Sequence, residues 1–283
     1  MELKELIQTT LKKDKKNLIT FLTGAGISAD SGIPTYRGSD GIWVKGTTYH
    51  KPEEFGTFKY FMNNPEEVWQ FSLFEKKMFD NAQPNINHYE LVEIENLLKE
   101  KFFVITQNID GLHLRAGNKN LYEIHGHLRE IKCSNKCKGI LPLPNDIQGK
   151  DLTEDLSPTD IENLKCKKCG KWMRPNFLLF DEYYDEPTNK IFSSLNVAKN
   201  SSILFVVGTS GSTNLPLKIV ANTLRYGGYV IDLNIEDNHF TELLKGKKRV
   251  ITIRDDIKNV LPIIKNTIKE CQKDNEINIS GDI

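Results

Sequence analysis

The chain has 283 residues, 39% of them hydrophobic and 27% charged, with 38 Lys and Arg balanced by 38 Asp and Glu. That length suits one large domain, or a domain carrying a smaller inserted module, and the composition is that of an ordinary packed core. A formal net charge of zero excludes a global field that would hold the chain on nucleic acid or an anionic membrane.

The first stretch, "MELKELIQTTLKKDKKN", places Leu3, Leu6, Ile7 and Leu11 at helical spacing. Lys4 and Glu5 interrupt the apolar run that a signal peptide needs. No window approaches the ~20 apolar residues of a membrane helix, so a cytoplasmic location is expected. The run Leu18–Thr23 then reads as a strand, and it ends in "TGAGISADSG". Gly24 and Gly26 follow the strand, with Ala29 where a dinucleotide fingerprint accepts Gly or Ala. Glycines there allow a tight turn and close approach of backbone to a pyrophosphate. A plain strand–helix turn uses the same residues. No acidic residue stands out about 20 positions on to bind a ribose, so an ordinary dehydrogenase site is not indicated.

Residues 39–86 are rich in aromatics and take helical spacing from Pro65 onward. A helix over 87–100 and a strand over 102–106 follow. The strand ends in "QNIDGLH", which puts Gln107, Asn108, Ile109 and Asp110 at the strand end where α/β proteins bind ligands. His125, followed by Gly126, stands just before a cysteine-rich segment. In that segment "CSNKC" and "CKKC" set Cys133 with Cys137 and Cys166 with Cys169, at the spacing of tetrahedral zinc. Four thiolates close the coordination shell, so the expected zinc is structural. Cys271 stands alone and is expected to be packed in a helix.

Strand-like runs over 203–207, 229–233 and 249–253 complete the pattern, with a helix over 215–226. "GTSGS", with Gly208, Thr209 and Ser210, and "LN", ending at Asn234, repeat the strand-then-small-polar arrangement. Near-continuous apolar strands alternating with helices predict an α/β doubly wound parallel sheet, Rossmann-like. The sheet domain is expected over 1–38, 87–127 and 181–271. A helical insertion is expected over 39–86, a zinc-binding module over 128–180, and a polar tail over 272–283.

Taken in order, "GAGISADSGIPTYRG", "TQNIDGLH", "HG", the cysteine quartet, "RPNFLLFDE", "GTS" and "LN" resemble the motifs of sirtuins of the bacterial type, the NAD-dependent protein lysine deacylases. The resemblance implies a cofactor site for NAD made by Gly24, Ala25, Gly26, Ser28, Asp30, Tyr36, Arg37, Gln107, Asn108, Ile109, Asp110, Gly208, Thr209, Ser210 and Asn234. Within it Gly24, Ala25, Gly26 and Arg37 would hold the diphosphate, and Tyr36 would cover the reacting ribose. Gln107, Asn108 and Asp110 would order the ribose and the carboxamide, and Thr209, Ser210 and Asn234 the adenosine half. His125 is implied as general base and Asn108 as its catalytic companion. The implied partner is an acylated-lysine protein or peptide; neither nucleic acid nor a membrane is expected as a partner.

Three places depart from the family pattern. The flap reads Thr35-Tyr36 where Asp-Phe is common. Asp181 replaces a glycine whose backbone pairs with the substrate peptide. "GTSGSTNLP" is a residue longer than usual, which leaves Asn214 or Leu215 in place of the valine that meets the acyl-lysine. In the helix that resembles the lining of the acyl channel, Ser72 and Glu75 take the Tyr and Arg positions found in desuccinylases; i and i+3 share a helix face, so both are expected to enter the channel. An NAD glycohydrolase or ADP-ribosyltransferase on the same scaffold is the alternative reading, and a zinc-ribbon binding protein a third.

Overall fold

The computed structural model describes residues 2–13, 18–35 and 52–280. The strands are β1 Leu18–Thr23, β2 Phe102–Thr106, β3 Leu121–Glu123, β4 Gly126–Cys133, β5 Leu141–Pro142, β6 Met173–Phe177, β7 Ser201–Val207, β8 Tyr229–Asn234 and β9 Val250–Arg254. The helices are α1 Leu3–Lys13, α2 Pro52–Phe55, α3 Phe58–Asn63, α4 Pro65–Asn81, α5 Ile86–Leu98, α6 Leu112–Ala116, α7 Pro158–Asn163, α8 Ile191–Asn200, α9 Asn214–Arg225, α10 His239–Leu244 and α11 Ile257–Ser280.

The main sheet has the order β3-β2-β1-β7-β8-β9, and every pairing in it is parallel. Its side chains alternate between two covered faces. Ile19, Phe21, Phe205 and Val207 join α1, α5 and α11 through Leu6, Leu91, Ile94 and Leu261. Leu22, Leu204 and Val206 face the other way, against Val197 of α8, Ile219 of α9 and Phe240 of α10. This is the doubly wound, Rossmann-like architecture that the apolar runs predict. From β1 the chain turns to β2 on one side, while β7 lies on the other. The switch point is therefore the crevice at the C-terminal ends of β1 and β7, where ligands bind in such sheets.

A smaller antiparallel sheet, β5-β4-β6, lies within the segment from Gly126 to Phe177. Its core is shared with the helices of the 52–81 stretch. Phe55, Phe61, Trp69 and Phe71 pack with Ile131, Cys133, Leu164 and Met173, and the Trp69 indole donates to the Met173 carbonyl at 2.8 Å. Two stretches that read as separate insertions thus bury one apolar surface together.

Some local expectations change. The helix expected over 87–100 ends at Leu98, and Lys99 turns the chain with φ 52°. The stretch expected as a tail continues α11 to Ser280, because neither Gly nor Pro occurs between Gln272 and Ser280 to stop it. Cys271 is buried in that helix. Among the described residues no helix is long and apolar enough to cross a membrane.

Behind β1 two histidine rings meet edge to face, His88 and His113, with centroids 4.9 Å apart. His88 closes a capping box at the start of α5: the Asn85 N–H donates to its Nδ1 at 3.3 Å, and the Asn85 side chain caps the helix in return. His113 Nε2 lies 3.0 Å from the Thr23 hydroxyl and its Nδ1 3.3 Å from Asn118 Oδ1. Burial lowers the His88 pKa to about 3, helped by the charge of His113, and lowers that of His113 to about 4. Both rings are therefore neutral in the fold, and the unfolded chain binds the extra protons as pH falls below about 6.5. Stability is complete above that pH and should be lost on acidification towards pH 4. Between pH 7 and pH 5 the loss should be about 2 kcal/mol for each ring. Urea unfolding at the two pH values checks this, and the pH dependence should shrink by about that amount in His113→Asn. An unchanged dependence in that variant would contradict the assignment.

Candidate active site

The β1 and β7 ends approach each other without side chains between them. Gly24 N–H donates to the Val207 carbonyl at 3.0 Å and Gly26 N–H to the Gly208 carbonyl at 2.9 Å. A Cβ on Gly24 would lie 2.6 Å from Thr209 Cβ, and one on Gly26 2.7 Å from Gly208 Cα. Gly208 itself has φ 58°, a region that glycine enters freely. The glycines thus serve the close approach of two neighbouring loops, over and above any room they leave for a phosphate. After Gly24 the chain coils into a 3-10 turn, Ala25–Ser31.

Thr209 anchors one flank. Its N–H donates to Asn234 Oδ1 at 3.0 Å, and its hydroxyl accepts from Gln107 Nε2 at 2.8 Å. Asn234 Nδ2 donates to Asp232 Oδ1 at 2.6 Å. Asp232 is fully buried and pairs with Arg254 at 2.7 Å. On the other flank, Asn108 Nδ2 reaches the Gly24 carbonyl at 3.1 Å and Ser28 Oγ at 3.2 Å. Ser28 donates to Asp110 Oδ2 at 2.7 Å, and Leu112 N–H to Asp110 Oδ1 at 2.9 Å. Burial pushes the Asp110 carboxyl above its usual range, while those two hydrogen bonds pull it down.

His125 sits between β3 and β4. Gly126, at φ 79°, admits no side chain there, since a Cβ would lie 2.0 Å from the Asn176 carbonyl. His125 Nε2 lies 2.9 Å from the Tyr184 hydroxyl. Burial draws the His125 pKa down to about 4, against a hydrogen bond to the Gln107 backbone carbonyl that raises it. The ring is therefore neutral at pH 7 and able to accept a proton. Burial pushes Tyr184 up to about 12, opposed by hydrogen bonds from the Thr213 side chain and the Leu215 N–H.

The structure thus brings Gly24, Gly26, Ser28, Gln107, Asn108, Asp110, Gly208, Thr209 and Asn234 into one connected crevice. His125 joins it through Gln107, and Ala25 and Ile109 lie beside it in the same loops. Ser210 is exposed and shares a hydrogen bond with Ser212 at 2.8 Å. Asp30 is exposed at the far end of the 3-10 turn, and no described contact brings it into the network. Tyr36 and Arg37 lie outside the described residues. Sequence reasoning missed Tyr184, Thr213, Asp232 and Arg254. Only "EYYDE", in a motif that departs from the family, marked the first; the others become partners through strand order.

The departures acquire structural reasons. Asp181 accepts from Phe58 N–H at 2.6 Å and Lys59 N–H at 3.1 Å. It therefore caps the positive N-terminal end of α3. Leu215 is fully buried and its side chain belongs to the core, whereas Asn214 is exposed. Ser72 and Glu75 are buried, and the Ser72 hydroxyl turns back onto the Val68 carbonyl at 2.7 Å. The 147–152 stretch packs on another side of that helix, where Lys150 N–H donates to the Leu73 carbonyl at 3.0 Å and Gly149 lies against the Lys77 backbone.

The four cysteines converge. Cys133 Sγ lies 3.4 Å from Cys137 and 3.6 Å from Cys169, and Cys137 lies 3.3 Å from both Cys166 and Cys169. A disulfide would need about 2.05 Å. Four sulfurs about 2.3 Å from one zinc would stand about 3.8 Å apart, so this donor set fits the ion. Lys136 and Gly170, both at positive φ, turn the two knuckles.

A model of the Sir2 family matches residues 24–214. An NAD-dependent protein deacylase of Leptospira interrogans (serovar Lai) is 35% identical over 87% of this chain and 93% of that protein. One from Pyrococcus abyssi is 37% identical over 81% of this chain and 85% of its own. Among solved structures, a Sir2 homologue in complex with NAD superposes with a TM-score of 0.76, at 27% identity and 95% coverage of each chain. A mutant Sir2 homologue with ADP-ribose gives 0.78 at 27% identity, covering 96% of this chain and 98% of its own.

Metal analysis of protein purified without chelator should find one zinc per chain. Cys166→Ser should lose the metal and several degrees of melting temperature, because a structural zinc contributes folding free energy. Full stability of that variant with no metal bound would reject the assignment.

Proposed function

The chain belongs to the Sir2 (sirtuin) family, and on that premise we propose that it removes acyl groups from protein lysines at the expense of NAD. It is an NAD-dependent protein deacylase. NAD is consumed in the reaction, supplying a ribose carbon that the acyl oxygen attacks once nicotinamide has left. The products are the free lysine, nicotinamide and O-acyl-ADP-ribose.

The residue roles are our reading. The Gly24–Gly26 backbone and Arg37 take the diphosphate, and Thr209, Ser210 and Asn234 the adenosine half. Asn108 and Asp110 order the ribose side of the crevice. His125 is the general base. The observation that carries this role is a half-buried, neutral imidazole beside Gln107 at the crevice. A neutral ring at pH 7 can take a proton from a ribose hydroxyl, and such a base contributes roughly 10²–10⁴-fold. The four-cysteine centre has no open coordination position for catalysis, so its role is to hold the small sheet and the α2–α4 helices together. A reducing compartment such as the cytoplasm keeps those thiols available to a metal. The deacylase relatives favour this reading over an NAD glycohydrolase or an ADP-ribosyltransferase.

Nicotinamide release by the pure protein should depend on an acetyl-lysine peptide. Release without the peptide would mark a glycohydrolase instead. His125→Ala should lose at least about a hundredfold in acyl transfer while NAD still binds. Retention of more than a tenth of the rate would remove His125 from the role of base.

For the acyl group we propose small neutral chains. Neither Ser72 nor Glu75 supplies the guanidinium that a succinyl carboxylate would pair with. On one peptide, kcat/KM for acetyl should exceed that for succinyl; the reverse order would show that another cation serves the site.

A further inference from the structure

Arg254 is the last residue of β9, and every donor that it carries is in use. A guanidinium has five N–H groups, and five bonds account for them. Nε donates to Asp237 Oδ1 at 2.8 Å. One terminal nitrogen donates to the Asp232 and Ile253 carbonyls, both at 3.2 Å. The other donates to Asp232 Oδ2 at 2.7 Å and to Thr241 Oγ1 at 2.5 Å. A guanidinium filled in this way keeps no free fork for a phosphate or carboxylate ligand. Its reach into the crevice runs through its neighbours.

Two lines of contact lead from it to the turn after β7. Along the first, Asp232 is fully buried, and a carboxylate can only accept. Asn234 therefore presents Nδ2 to Asp232 Oδ1 at 2.6 Å, which leaves its own Oδ1 to take the Thr209 N–H at 3.0 Å. With the amide reversed, an oxygen would face the carboxylate and two donors would meet at Thr209. Along the second, Thr241 Oγ1 accepts from Arg254 and from Asn238 N–H at 3.0 Å, and it donates to Asp232 Oδ2 at 3.1 Å. Asn238 caps the first turn of α10. The next residue, His239, donates its N–H to the Ser210 carbonyl at 3.2 Å. The Phe240 ring lies against Gly211, where a Cβ would stand 2.8 Å from it. The 209–211 turn is thus held at its first residue through β8 and at the other two through α10, and both lines meet in one side chain.

We infer that Arg254 is a positioning residue for the NAD reaction, fixing the 209–211 turn in the form that receives the adenosine half of the cofactor. The inference rests on the reading that Thr209, Ser210 and Asn234 take that half. Adenosine takes no part in bond breaking. Its contacts act equally on bound cofactor and transition state, so their loss raises KM without lowering kcat.

Arg254→Met keeps the aliphatic stem and removes all five bonds. The KM for NAD should rise at least about tenfold, since hydrogen bonds to a charged group are lost. The kcat and the KM for an acetyl-lysine peptide should stay within about twofold of the parent. Arg254→Lys, which keeps the charge beside Asp232, should recover part of the loss. In the NAD-free protein, backbone amide exchange should quicken over residues 208–212 and not over 102–106, whereas a general loss of stability would quicken both. A KM for NAD that does not move, a fall in kcat alone, or unchanged exchange at 208–212 overturns the inference. Asn234→Ala separates it from its premise. A raised KM for NAD there, with none in Arg254→Met, rejects the positioning role alone; an unmoved KM in both removes the adenosine reading as well. If Arg254→Met does not fold, Thr241→Val decides, because it cuts the line through α10 and leaves Asp232 paired with Arg254. A rise of about threefold or more in the KM for NAD supports the role, and an unchanged KM rejects it.

Discussion

At the centre of the sheet two loops touch with no side chain between them. Gly24 and Gly26 lie against Gly208 and Thr209, and any Cβ there would meet backbone or Cβ atoms at 2.6–2.9 Å. Such a contact forces rearrangement and cannot be relieved by a change of rotamer. Everything at the crevice depends on this approach. It brings Thr209 within reach of Gln107, and it sets the Gly24 carbonyl where Asn108 can bond it. Polar groups from β1, β2, β7 and β8 therefore form one hydrogen-bonded set. The Asp232–Arg254 pair behind Asn234 extends that set to β9.

The second organising feature is the shared core of the small sheet and the α2–α4 helices. Trp69 is buried against Met173, and the cysteine cluster lies on the same apolar mass. The residues between this unit and the sheet, 178–189, are tied to both. Asp181 caps α3, while Leu178 and Asn189 bond the chain on either side of His125. A change at the cysteine cluster can therefore reach His125 through packing and hydrogen bonds.

Burial fixes the charge state of the histidines. His88, His113 and His125 all titrate well below their ordinary range, with desolvation as the largest cause. The consequence differs with the surroundings. His88 and His113 pack on each other behind β1 and cap or brace backbone there. His125 stands at the crevice with the Tyr184 hydroxyl 2.9 Å from its Nε2. The same physical shift bears on stability in one place and leaves a neutral ring at the crevice in the other.

Local pattern was enough for what depends on a residue's own neighbours in the chain. The apolar runs at Phe21–Leu22 and 203–207 alternate toward two faces, which is why a doubly wound sheet could be read from them. The cysteine spacing similarly showed the metal centre, because each knuckle closes within one short turn. Longer-range choices were not legible. Nothing around Ser72 and Glu75 signals that both would be buried, and nothing in Gly24 says that its clash would be with Thr209, which follows a neighbouring strand. Asp181 reads as a lost glycine until α3 is placed with its free N–H groups beside it. Tyr184 meets His125 across 59 residues, a distance that only the closure of the 178–189 stretch onto β4 brings within a hydrogen bond. Periodicity and spacing are short-range signals, fixed by backbone geometry. Which carboxylate caps which helix, and which hydroxyl meets His125, follows from how the packed elements sit against one another in space.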